Sequence, residues 1–275
     1  MNRAGTTAYR VQDGAVEVLD LQRQAIVRTI PLPELASDQG RGAVALSADE
    51  KTLAVVTNTG LSLVHLDRMA QQGVYSVWSQ PSAMPLDGLG AWTAIANDPV
   101  AGPGQQPASY LYGQYFTFIG SSSLGMVGLV KQPSGKFAVF SVVDPDGTQH
   151  VAAVPFNWTA GRLYFPFVYQ LAPGSWGAWV YDNSAATWVP IGLLTLPADF
   201  GRLAPASMTL STWVGAPAKT CSAYPGADVL YYPAQGYVGG TGAVATLATS
   251  GQTPGECPAS ATVAHGVWAY HHLGT

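Results

Sequence analysis

The apolar residues of this chain fall in short runs of Val, Phe, Tyr, Trp and Leu, each of strand length and each closed by turn formers. The pattern is clearest from Phe137 to Leu196. Its breaks are Asp144-Pro145-Asp146-Gly147, Thr159-Ala160-Gly161, Ala172-Pro173-Gly174-Ser175 and Asp182-Asn183-Ser184. Runs of this length between residues that tolerate tight turns predict an antiparallel meander. Upstream, Tyr110–Gly120, Ser123–Gln132 and Lys136–Pro145 read as three further strands, with Pro133-Ser134-Gly135 as a turn; residues 148–156, 162–171, 176–182 and 187–196 continue the series. So many hairpins need two stacked sheets to bury their aromatic rings, which predicts an antiparallel β-sandwich or jelly roll.

The first 70 residues alternate apolar and polar positions with the same period, in AYRVQ, GAVEVLDL, AIVRTIPLP, GAVALSADEKTLAVVT and GLSLVHLD. Residues 1–68 carry 15 of the 28 charged side chains, so a domain boundary is expected near Arg68–Tyr75. The division is 1–70 for a sheet segment and 71–275 for the sandwich, entered through a linker-like stretch from Gln71 to Pro107 in which WSQPSAM and GAWTAIA are each candidates for a strand. DGAVEVLDLQRQAIVRTIPLP and GAVALSADEKTLAVVTNTGLSLVHLD resemble the blade repeat of surface-layer-type YVTN β-propellers. Ser47-Ala48-Asp49-Glu50-Lys51 stands at that repeat's serine-proline-aspartate-glycine-lysine, departing at the proline and the glycine. The resemblance implies a partial, propeller-like sheet, since about one and a half blades cannot close a ring. Open strand edges would leave it free to dock on a partner or to self-assemble.

A second resemblance covers about 100 residues. YFTFIGSSSLGMVGLV, FSVVDPDG, FNWTAGRLYFPFVYQ and WGAWVYDNSAATWVPIGLL resemble a family of secreted bacterial and fungal proteins known only as a domain of unknown function. The matching positions are Trp158, Gly161, Tyr164, Phe167, Tyr181, Asp182, Trp188 and Ile191. Val143 replaces the aromatic residue before the aspartate of one strand. What this implies is an extracellular sandwich of concanavalin or laminin-G type.

Composition narrows the function. Charged residues are 10% of the chain and the formal net charge is −4, with no basic cluster, so the electrostatic footprint of a nucleic-acid binder is missing. Gly, Pro or a polar residue interrupts every apolar run before it reaches membrane-helix length. The opening residues lack the charged start and apolar centre of a signal peptide, which suggests a mature form or a fragment. Cys221 and Cys257 lie in Gly/Pro-rich surroundings and read as one disulfide, with two free thiols as the alternative. A disulfide there would stabilise the fold by roughly 4 kcal/mol.

No catalytic motif stands out. Ser121-Ser122-Ser123 and Ser134 sit in turns without a nucleophile elbow. Asp144 and Asp146 flank a proline and read as turn caps; a calcium site on them is the alternative, and no other cofactor is expected. His271 and His272 would point to opposite faces of a strand, at a solvated end of the chain. His65 and His150 read as structural.

Eight tryptophans and thirteen tyrosines are the remaining signal, because apolar sugar faces pack on flat rings. Trp158, Trp179 and Trp188 are expected in the core. Trp176, Tyr224, Tyr231 and Tyr232 are expected at exposed loop tips as the ligand-binding surface. The resulting expectation is a secreted or cell-surface sandwich that binds a polysaccharide or surface glycan. Its rivals are a surface-layer or filament subunit joined through open β edges and a glycan-active hydrolase or lyase using aspartates.

Overall fold

The strand-length runs become strands close to where their alternation puts them. The computed structural model describes residues 1–12, 15–31, 44–48, 50, 52–57, 60–65, 70–102, 105, 108–215, 224–252, 259–264 and 267–274. Cys221, Cys257 and Glu256 lie outside the described residues.

At the N-terminus, β1 (Thr7–Gln12), β2 (Ala15–Asp20) and β3 (Ala25–Pro31) form a three-stranded antiparallel meander, and β4 (Val44–Leu46), β5 (Thr52–Thr57) and β6 (Gly60–His65) form a second. The two share a small core of Val16, Leu53, Val55 and Val64. Two such sheets are what the described residues build in place of a ring of propeller blades. In the turn between β4 and β5, Glu50 takes φ +60°, a conformation glycine adopts without steric cost. Ser47 accepts the amides of Glu50 (through its carbonyl, 3.0 Å) and Thr52 (through Oγ, 2.9 Å) and so holds the turn.

The stretch read as a linker begins with a ten-residue strand, β7 (Ala70–Ser79), inside the sandwich. Two short strands follow, β8 (Gly88–Gly90) and β9 (Thr93–Ile95). β9 lies in GAWTAIA, one of the two candidate runs, and β7 reaches into the other, but turn-rich composition hid most of β7, whose partners at residues 203–215 and 246–252 are remote in sequence. The predicted series then appears as β10 (Ala108–Phe118), β11 (Leu124–Gln132), β12 (Gly135–Val143), β13 (Gln149–Pro155), β14 (Leu163–Ala172), β15 (Ser175–Asp182) and β16 (Thr187–Thr195). Completing the fold are β17 (Leu203–Gly215), β18 (Ala227–Tyr231), β19 (Gln235–Val238), β20 (Thr241–Val244), β21 (Thr246–Gln252), β22 (Ala259–Ala264) and β23 (Trp268–Leu273).

The fold is an antiparallel β-sandwich. One sheet runs β13-β12-β11-β10-β17-β7-β21. In the other, β14 pairs with β15 along one edge, and along the opposite edge with β8 near one end and β9 near the other. β16 extends that sheet beyond β15, β18-β23-β22 extend it beyond β9, and β19-β20 extend it beyond β8. Alternate residues of each strand face inward and fill the core with Trp78, Tyr110, Tyr112, Phe116, Phe118, Phe140, Trp158, Trp176, Trp213 and Tyr231. Burying one such ring removes ~200 Å² from water, an upper bound of ~5 kcal/mol each.

A polar seam crosses this core. His271 of β23 hydrogen-bonds Ser76 Oγ through Nε2 (2.9 Å) and Ser211 Oγ through Nδ1 (3.0 Å), one nitrogen donating and the other accepting, and ties one sheet to the other. Ser211 also meets the Tyr231 hydroxyl (3.1 Å), and Trp78 Nε1 donates to Thr209 (2.9 Å). Burial pushes the His271 imidazole down to about 3, so the ring is neutral at physiological pH. The solvated chain end expected of His271 is therefore corrected: its strand pairs on both sides, with β18 and β22, and the ring is enclosed.

Candidate aromatic binding face

Three of the four rings predicted to be exposed are in the core. Trp176 (0% exposed), Tyr224 (2%) and Tyr231 (1%) are buried, which corrects the expectation of a loop-tip surface built from them. Trp176 is the first inward position of β15, packed edge-on against Phe118 at 5.3 Å, and Tyr224 stacks on Trp213 at 4.2 Å. Tyr232 remains half-buried, against Trp268.

The exposed aromatic surface lies on the outer face of the sheet containing β14. In that strand Tyr164 and Val168 face the core, so Phe165, Phe167 and Tyr169 project outward. β15 adds Trp179 and Tyr181 on the same face, because they are out of phase with Trp176 and Val180. β16 adds Trp188, opposite Tyr181 and 49% exposed. A bulge at Ile191 shifts the phase of β16, returning Ile191 and Leu194 to the core. Thus Trp179 and Trp188, expected inside, belong to the outer face.

The rings form one contact network. Phe167 sits at its centre, with Phe165 at 5.8 Å, Tyr169 at 5.9 Å, Trp188 at 6.0 Å, Trp179 at 6.4 Å and Tyr237 of β19 at 5.1 Å. Trp92, between β8 and β9, extends it, 5.0 Å from Phe165 and 6.0 Å from Tyr181. Glycine on the neighbouring strand makes room. A Cβ on Gly90 would lie 2.5 Å from Phe165 Cζ, so only a glycine backbone lets that ring lean across β8. Phe167, Tyr169, Trp179 and Trp188 enclose an open depression of about 300 Å³, and none of the four is charged. At the β8 end, Asp87 is fully engaged, with Arg202 Nε on Oδ1 (3.0 Å) and the Gly239 amide on Oδ2 (2.7 Å).

The remaining candidates do structural work. Asp144 accepts His150 Nε2 (2.9 Å), its amide meets the Thr148 carbonyl (2.8 Å), and Asp146 Oδ1 caps the Thr148 amide (2.9 Å). The Thr148 amide, helped by the Thr148 hydroxyl, holds Asp146 below the usual carboxylate range. Asp182 caps Ser184 and Ala185 in the same way. No group of three or more His, Cys, Asp or Glu side chains among the described residues is placed to hold a metal ion. The serine–histidine contact at His271 is enclosed, with Ser76, Ser211 and His271 all at 0% exposure, so no substrate reaches it.

The site was missed because apolar alternation marks two faces without saying which is inside. Trp176 and Trp179 are three apart in one strand, so they cannot share a face, but that spacing does not say which of the two is inside.

No family model matches the chain, and no curated protein matches it. Among solved structures it is similar to Scytalido-glutamic peptidase with a transition-state analog inhibitor, at 10% identity and TM-score 0.46, over 74% of this chain and 98% of that one. It is also similar to the CBM2 module of the evolved Dit of Lactobacillus casei BL23 phage J-1, at 6% identity and TM-score 0.32, over 99% and 92%. Peanut lectin matches at 10% identity and TM-score 0.25, over 100% and 95%.

Proposed function

We propose that this protein binds a carbohydrate polymer outside the cell, through the outer aromatic face of β14, β15 and β16. The observation that carries the reading is the connected array of partly exposed rings around an uncharged depression. A soluble monomer rarely leaves so many joined rings in contact with water unless they meet a partner. Flat aromatic surfaces take the C–H faces of sugar rings, while Tyr169, Tyr181 and Tyr237 add hydroxyls for orientation. A neutral lining suits a neutral ligand. Two-carboxylate hydrolysis lacks its parts here, since the four lining residues carry no acid. In this reading residues 1–70 form an accessory segment, and residues 71–275 the binding unit.

The test is pull-down on insoluble cellulose, chitin and xylan, with tryptophan-fluorescence titration against soluble polysaccharides. Trp188→Ala and Trp179→Ala should each weaken binding by about tenfold or more. Wild-type protein that binds none of these glycans would overturn the reading.

A further inference from the structure

The aromatic face does not end at Trp92. On β18 the core takes Ala227, Val229 and Tyr231, leaving Asp228 and Leu230 on the outer side, with Tyr232 following in the same phase. On β23 the core takes Ala269, His271 and Leu273, which leaves Trp268, Tyr270 and His272 outside. The Tyr232 and Trp268 rings lie in contact, with centroids 4.4 Å apart and planes tilted by 43°. The Tyr232 amide donates to the Trp92 carbonyl (2.9 Å), so this ring pair adjoins the ring that opens the main array. At the other end of the same two strands Asp228 Oδ1 accepts both the Tyr270 hydroxyl (2.5 Å) and His272 Nδ1 (2.7 Å). That arrangement sets the neutral His272 ring as the Nδ1–H tautomer and leaves Nε2 as an acceptor. The His272 side chain is 36% exposed.

From β23 through β18, β9 and β14 to β15 there are four inter-strand steps. At ~4.8 Å each, the rings cover ~19 Å across the sheet. We infer that this face takes one extended, uncharged sugar chain lying across the strands, with two separated subsites. One is the Trp179/Trp188 depression; the other is the Tyr232–Trp268 pair, whereas the Asp228–His272 dyad lies about 13 Å further along the same two strands, off that line. The inference rests on the carbohydrate reading above and adds the length and direction of the ligand. The occupant follows from the lining: uncharged rings along the track call for a neutral, stacking ligand. Joining two subsites through one ligand makes the second contact intramolecular, so affinity rises steeply once the chain is long enough to reach both.

The experiment is a titration of the full chain with di- through hexasaccharides of cello-, xylo- and chito- type. The expected result is at least about a tenfold rise in affinity from disaccharide to hexasaccharide. Trp268→Ala and, separately, Tyr232→Ala should bring the hexasaccharide down toward the disaccharide without changing disaccharide affinity, whereas Trp188→Ala should weaken both. Circular dichroism on each variant verifies that the sandwich is retained. Equal affinity at every length, or an unchanged hexasaccharide affinity in both the Trp268 and the Tyr232 variant, overturns the two-subsite inference while leaving carbohydrate binding in place. Absence of binding at every length removes the ligand class and overturns both.

Discussion

A Cβ placed on Gly177 would lie 2.3 Å from Cη2 of Trp179, two residues along the same strand and on the same face. The indole therefore rests over bare backbone, and its position is set by a missing side chain. Gly177→Ala should displace the ring and open one wall of the depression. We expect a loss of about 1–3 kcal/mol of stability from the forced repacking and a shift in tryptophan emission. Polysaccharide affinity should fall about as far as in Trp179→Ala. Wild-type affinity in Gly177→Ala would show that the observed ring position is not the one the ligand uses.

Two tryptophans of neighbouring strands separate binding from stability. Trp176 is fully enclosed, and Trp176→Ala should cost about 3–5 kcal/mol in urea unfolding. Trp188 is half exposed, and Trp188→Ala should cost roughly 1 kcal/mol or less while reducing glycan binding. Reversal of the two stability effects would place the wrong face of the sheet in the core.

The buried His271 makes stability depend on acidity. Its folded-state value, about 3, lies below the ordinary 6.5 because burial disfavours the imidazolium. Between those values the unfolded chain takes up a proton that the folded chain refuses. Stability from this group is thus complete above pH 6.5 and falls as pH drops toward 3, by about 1.4 kcal/mol per pH unit and about 5 kcal/mol in all. Urea unfolding from pH 7 to pH 4 measures it. His271→Gln should be less stable at pH 7 and show a shallower decline below pH 6.5; an equally steep decline would assign the acid sensitivity to other groups.

Calcium should leave the fold indifferent. Asp144 Oδ2 holds His150 Nε2 and Asp146 Oδ1 the Thr148 amide. Although Asp144 Oδ1 has no hydrogen-bond partner, no third His, Cys, Asp or Glu among the described residues joins this pair to complete a cation site. The thermal midpoint in excess chelator should equal that in millimolar calcium. An upward shift with calcium, abolished by Asp146→Asn, would restore a metal role for this turn.

Local chemistry made much of the architecture readable. Turn residues at Asp144–Gly147, Ala172–Ser175 and Asp182–Ser184 are where β12, β14 and β15 give way to the next strand, because each turn satisfies its own backbone through neighbouring residues. Asp182 was likewise readable as a cap, since it bonds amides two and three residues on. What alternation cannot express is the side that becomes inside. For Trp176, Trp179 and Trp188 the choice depends on which sheet packs opposite β15 and on a bulge at Ile191 that shifts the phase of β16. β7 was hidden for a related reason, its partners lying more than a hundred residues away. The chain alone thus determined that there would be strands, hairpins and a surplus of rings, all short-range consequences of residue type. Only tertiary packing decided which rings meet water, since burial belongs to pairs of surfaces that the sequence keeps far apart.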